Sequence, residues 1–522
     1  MHTPMRKSLL LLAIALTTAL GAYAQKPRLI IQIVAGSMRA SDLERYAANF
    51  DQGGFRRLMD GGTLYTNAQY DCLQTTTPVS LATLATGALP STHGIIGHSW
   101  IDYTSNQSVQ LTEGAKGPGA YHLVAPSLGE SLLQADAKSQ CITVAMEPTS
   151  AVLLAGKTKA VYWLDERCNW ATSPYYAEML PLWIRRSNRE QTNTSYLHAQ
   201  WNPLLEPVQY LNTRRWDITA GGGKQTKKQS KNTPTTYKSE AEQLRLTPAG
   251  NSAVLGFAKQ LLVLYQLGED NSTDLINIHL DACSHIVERY GPESMEAEDM
   301  YYRLDRDLAD FLTFVFALLP QEQVSIVFTS SHGTSPSFDA GATPTERFNA
   351  RQFEVICNGF LNVRYGVGEW VLNYEDNSIW LNHNLIYERG LDLAAVQNEV
   401  AIFAMQFRGI SHALSSTAMR SSYFGSGYAR LMQNGFYPRR SGDVILNFMP
   451  GWIEEREGVR SLSGSMYGYD RAVPLIFYGV GCLSQRVERR VEMTSVASTL
   501  SHLAGISEPA ASEGERLTEI GQ

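Results

Sequence analysis

The sequence predicts an α/β protein with a mostly parallel central sheet flanked by helices and with inserted cap regions. Short apolar runs rich in β-branched residues, at 28–34, 140–146, 274–280 and 324–329, have the composition of strands buried on both faces. Stretches with helical spacing separate them, as at 78–86 and 300–319. A chain of 522 residues exceeds a typical single core, so a large domain with insertions is expected.

The chain opens with the basic pair Arg6-Lys7, an apolar run over 9–20, and the small-x-small site Ala22-Tyr23-Ala24. This predicts a signal peptide over 1–24 and a folded domain over 25–522, periplasmic or extracellular. No later run is apolar enough to cross a bilayer. A net charge of −7 argues against a nucleic-acid partner. None of the six cysteines forms a CxxC or a Cys/His zinc pattern, and their spacing does not choose among disulfide pairings.

In chain order, strand 28–34 runs into the loop Ala35-Gly36-Ser37-Met38-Arg39 at the sheet edge where ligands of open α/β folds sit. Next comes Gln74-Thr-Thr-Thr77-Pro-Val-Ser-Leu-Ala-Thr-Leu-Ala-Thr-Gly87. Thr77 reads as an N-cap, Pro78 as the first helical residue and Gly87 as the stop, which sets one hydroxyl at the positive end of a helix. Residues 160–246, rich in Trp, Tyr and Pro, read as a first inserted cap, with an exposed loop over 221–234. Strand 274–280 leads to Asp281-Ala-Cys-Ser284-His285-Ile-Val-Glu288-Arg-Tyr290-Gly-Pro. The helix over 300–319 is expected to keep Arg303, Asp305, Arg306 and Asp307 on its polar side. Strand 324–329 ends in Ser330-Ser331-His332-Gly333, a second insertion covers about 340–450, and a packing helix stops at Gly505.

The Thr77 segment, followed by Pro90-Ser-Thr-His-Gly-Ile, resembles the nucleophile segment of the alkaline phosphatase superfamily, in its type I phosphodiesterase and PafA-like branch. The likeness extends over nearly the whole chain after residue 24. It implies an alkaline-phosphatase-like core in which a threonine attacks phosphorus between two zinc ions. It also assigns positions, and at most of them this sequence departs. The aspartate of the first strand's Asp-x-Met-Arg is Gly36, and the asparagine that contacts a phosphoryl oxygen is His98. The Lys-x-Arg phosphate clamp becomes Glu147 and Thr149, so a carboxylate stands where a cation held phosphate. With Tyr290-Gly291-Pro292 as anchor, the Asp and His zinc ligands fall on Ser284 and Glu288. Asp281 and His285 share the i, i+4 spacing but lie three residues too early. Asp-His-Gly becomes Ser331-His332-Gly333, and the last zinc histidine becomes Ser463.

Two zinc ions need about three or four N, O⁻ or S⁻ ligands each. One site retains Glu288 beside Ser284 and Ser463, and the other retains Thr77 and His332 beside Gly36 and Ser331. The sequence shows no base near Thr77. The expectation is therefore an exported pseudophosphatase without cofactor, serving binding or assembly, whose partner is a protein or a neutral or cationic ligand. The alternative is a zinc-dependent phosphomonoesterase or phosphodiesterase with Thr77 as nucleophile.

Overall fold

A computed structural model describes residues 26–212, 216, 239–337 and 346–521. The expected signal peptide and the 221–234 loop lie outside these. Among the described residues no helix is long and apolar enough to cross a membrane.

The central sheet is mixed and mostly parallel. Across it the strands run Gln485–Val487, Thr63–Gln69, Ala472–Gly479, Val324–Ser330, Leu29–Ala35, Asp274–Leu280, Cys141–Val144, Ala160–Leu164 and Trp170–Ala171. The five strands from Val324–Ser330 to Ala160–Leu164 are parallel to their neighbours within that group. Ala472–Gly479 runs antiparallel to both of its neighbours. Ala160–Leu164 thus belongs to the sheet, and the first insertion begins after it.

Strand Leu29–Ala35 is buried along its whole length, as its unbroken apolar run requires. Its side chains alternate between two cores. Leu29, Ile31 and Ile33 join the layer of the helices Ala249–Leu264, Ala282–Tyr290 and Met295–Leu318. Ile30 and Val34 join the layer of Thr77–Thr86, Pro148–Ala155 and Ser495–Ala504. The long helix begins at Met295 because Ser294 caps it, its hydroxyl accepting the Ala297 N–H at 3.1 Å.

Asp305 is not on that helix's polar face. It is buried, and its carboxylate accepts the backbone N–H groups of Asp51 and Phe55, each at 2.6 Å. The two N–H groups lead into the helix Phe55–Gly61, so the acid serves as a cap supplied from another element. All six cysteines are free thiols.

The second insertion carries its own core. Four antiparallel strands, in the order Val371–Glu375, Ser378–Leu381, Val444–Phe448 and Ile410–Ser415, are covered by the helices Ala350–Tyr365 and Leu393–Ala404. Asp376 and Asn377 join the first two strands with φ of 44° and 62°, the backbone of a tight two-residue hairpin.

Candidate functional site

Strand polarity assembles the site. Gly36 follows Ala35, Asp281 follows Leu280 and Ser331 follows Ser330, so three parallel strands deliver their next residues to one sheet edge. A cleft of about 230 Å³ opens there, lined by Thr77, His98, Glu147, Thr149, Ser284, Glu288, His332 and Ser463. Those expected positions therefore do converge. Gly36 lies beneath the cleft against Ser284. Ser331 is fully buried, and its hydroxyl has no hydrogen-bond partner among the described residues.

Thr77 is not the cap. The helix spans Thr77–Thr86 with Thr76 in the extended N-cap conformation, and Thr77 is its first residue. The expected stop does hold, since Gly87 takes the left-handed conformation at φ 69°. Freed from capping, the Thr77 hydroxyl lies 3.0 Å from His332 Nε2. His332 Nδ1 lies 2.6 Å from the Gly333 carbonyl, which can only accept. The Nδ1–H tautomer follows, leaving Nε2 to accept the Thr77 proton. Sequence reasoning found no base beside Thr77 and missed this one, because the two residues lie 255 positions apart. It is a weak base: burial pushes His332 down to about 4, the Gly333 carbonyl only partly offsetting that.

The space beside Gly36, where the resemblance implies a zinc-binding aspartate, is closed by packing. A Cβ placed on Gly36 would overlap the Ser284 hydroxyl and lie 2.9 Å from Ser284 Cβ and from its backbone nitrogen. Ser284 Oγ in turn bonds Ser37 Oγ at 3.2 Å. Zinc at the two inherited positions would find Glu288 and His332 as its only charged or imidazole donors, with hydroxyls making up the rest. That donor set does not fit the ion. Among the described residues no three His, Cys, Asp or Glu side chains are grouped so as to hold a metal.

Glu147 is bound on two sides, by His285 Nε2 and by Arg245 Nη1, both at 3.2 Å. Burial works against charge on both members of the Glu147–His285 pair, but their mutual attraction wins. His285 is pushed up to about 9, and Glu147 is held below the usual carboxylate range. Arg245, from the first insertion, is a cation that no local pattern places here. Thr149 stands in the first turn of Pro148–Ala155. Asp281, at the head of Ala282–Tyr290, accepts the Met146 N–H at 2.7 Å and the Ser150 hydroxyl at 2.5 Å. His285, one turn further along that helix, bonds Glu147 instead.

The second insertion closes the cleft from above. Its hairpin tip places Asp376 to accept the His98 N–H at 3.2 Å, and the Asn377 amide donates to the Gly464 carbonyl at 3.0 Å. Arg456 pairs with Glu454 at 3.2 Å and approaches Asp376 at 3.8 Å. The Asp-Asn pair between two apolar runs was a readable hairpin signal. Nothing local announced where the hairpin would point.

A mostly parallel α/β sheet with a threonine-headed helix at its carboxyl edge and a large antiparallel insertion above it defines a phosphoesterase scaffold. The chain belongs to the type I phosphodiesterase / nucleotide pyrophosphatase family, whose model matches residues 30–465. It is 26% identical over 525 residues to the alkaline phosphatase PafA of Elizabethkingia meningoseptica, covering 95% of this chain and 94% of that one. It is 25% identical to the alkaline phosphatase PhoV of Synechococcus elongatus, covering 95% and 93%. The crystal structure of wild-type PafA superimposes with a TM-score of 0.86 at 25% identity, covering 95% of this chain and 99% of that one. Murine ectonucleotide pyrophosphatase / phosphodiesterase 5 matches in fold, with a TM-score of 0.56 at 12% identity over 94% and 98%.

Proposed function

We propose that this chain is an exported pseudophosphatase, an alkaline-phosphatase-like scaffold that has lost the two-zinc site and serves binding or assembly. The donor set carries the reading. Of the seven inherited ligand positions, only Glu288 and His332 keep side chains that zinc favours, and the Ser284 side chain fills the space that an aspartate at position 36 would need. The clamp position supports it too, since Glu147 and Thr149 stand where relatives of the resembled branch offer two cations.

The wall of the cleft is acidic. Six carboxylates line it, against Arg456 and the charged His285. The N-terminus of Thr77–Thr86 favours an anion by only about 0.3–1 kcal/mol, too little to replace two divalent ions. A neutral or cationic ligand, or a protein surface, suits this cleft better than phosphate or a nucleotide.

Elemental analysis of the purified mature protein, with turnover of p-nitrophenyl phosphate and its diester, tests the reading. Substoichiometric zinc and no turnover above that of Thr77→Ala are expected. Two tightly held zinc ions per chain, with turnover lost on Thr77→Ala, would establish the metal-dependent hydrolase instead.

A further inference from the structure

Each carboxylate of the cleft can be followed to its partner. Glu147 is held by Arg245 and His285, Asp376 by His98, Glu454 by Arg456, and Asp281 by Met146 and Ser150. Two remain. Glu288 has no side-chain hydrogen bond or ion pair among the described residues, although it stands within the cleft. Asp470 is 1% exposed, and its Oδ2 accepts both the N–H and the O–H of Ser465, while its Oδ1 has no partner. A buried acceptor without a donor is costly, as at Asp470 Oδ1, and the half-buried Glu288 carboxylate opens onto the same cavity.

Ser284 and Glu288 are four residues apart on the helix Ala282–Tyr290, so they share a face, and Ser463 lines the same cleft. Among the described residues the site thus offers one carboxylate without a direct partner and neighbouring hydroxyls, while the cations His285 and Arg456 are engaged by Glu147 and Glu454. Phe448, Trp452 and Tyr469 supply aromatic surface along the wall. At about 230 Å³ the cavity is below the usual range of roughly 300–1,000 Å³ for ligand pockets, so its occupant is small.

We infer that the cleft takes a small organic amine, its ammonium group paired with Glu288 and its carbon skeleton against Trp452 and Phe448. The inference rests on the pseudophosphatase reading, and it puts a monovalent organic cation where the ancestral scaffold held a metal. An ammonium has three N–H donors and no acceptor, matching a carboxylate without a donor and hydroxyl oxygens that can each accept. Aromatic faces favour the same charge.

Tyramine and tyrosol share a skeleton and differ in an amine against a hydroxyl, which makes them the probe pair. Binding is read by calorimetry and by the shift in melting temperature on the mature chain. Tyramine is expected to bind saturably, with tyrosol weaker by about tenfold or more. Glu288→Gln should abolish that preference, and Glu288→Asp should retain part of it, each variant first checked for native circular dichroism. Equal binding of the two probes, no binding of tyramine, or a preference unchanged in Glu288→Gln would overturn the amine site. Those results leave the pseudophosphatase reading standing, whereas stabilisation by stoichiometric zinc or by phosphate would overturn that reading itself.

Discussion

Gly36→Ala gives a direct measure of how firmly packing has closed the space beside Gly36. The new Cβ would overlap the Ser284 hydroxyl and lie 2.9 Å from Ser284 Cβ and backbone nitrogen. Rotating the serine relieves only the first contact. The backbone nitrogen belongs to a helix whose buried face packs in the core, and it cannot retreat without moving that helix. Overpacking of this kind costs about 1–3 kcal/mol, and a clash with backbone belongs at the upper end. Ser284→Gly alone should cost about 0.5 kcal/mol through helix propensity, besides the lost bond to Ser37. The double variant should cost less than the two singles together by about 1–2 kcal/mol, because removing the serine Cβ and Oγ makes room for the alanine. Urea unfolding followed by tryptophan fluorescence measures all four corners of the cycle. A Gly36→Ala variant as stable as the parent, or strict additivity, would refute the packing account.

Thr77→Ser should be nearly neutral, whereas Thr77→Val should cost about 1–3 kcal/mol in the same unfolding assay, because it strands His332 Nε2 without a donor. Asp305→Ala removes a buried carboxylate that accepts two backbone N–H groups and should cost about 2–4 kcal/mol, read from the urea midpoint. For the Glu147–His285 pair the sign of the pH dependence is fixed. His285 is raised from 6.5 to about 9, so its contribution is complete below pH 6.5 and is lost as pH rises to 9. Glu147 is lowered, so its contribution is present above pH 4.5 and is lost on acidification. Melting temperature against pH should therefore fall between pH 6.5 and 9, and Glu147→Gln should flatten that fall.

Much of the fold was legible because its signals are local. The run before Ala35, the Pro78 and Gly87 punctuation, and the Tyr290-Gly-Pro turn each constrain a few neighbouring residues, and each element stands within a few residues of its expected place. Errors came where two readings of one short segment compete. Thr76 and Thr77 are both hydroxyl residues ahead of Pro78, and only the backbone angles pick Thr76 as the cap. Asp305 looked like a solvent-facing acid from helical spacing. Its partners are the N–H groups of a helix about 250 residues earlier, which no periodicity reveals.

The sequence by itself determined which residue types stand at the inherited catalytic positions. Side-chain chemistry is written in the residue, and neither a glycine at 36 nor a serine at 331 has a carboxylate or imidazole, whatever surrounds it. Charge balance and proton position in the cleft were decided only by tertiary structure. Arg245 reaches Glu147 from the first insertion, Asp376 reaches His98 from the second, and His332 meets Thr77 across the sheet edge. Electrostatic energy depends on distances of a few ångströms, and chain folding sets those between residues that local pattern leaves unrelated.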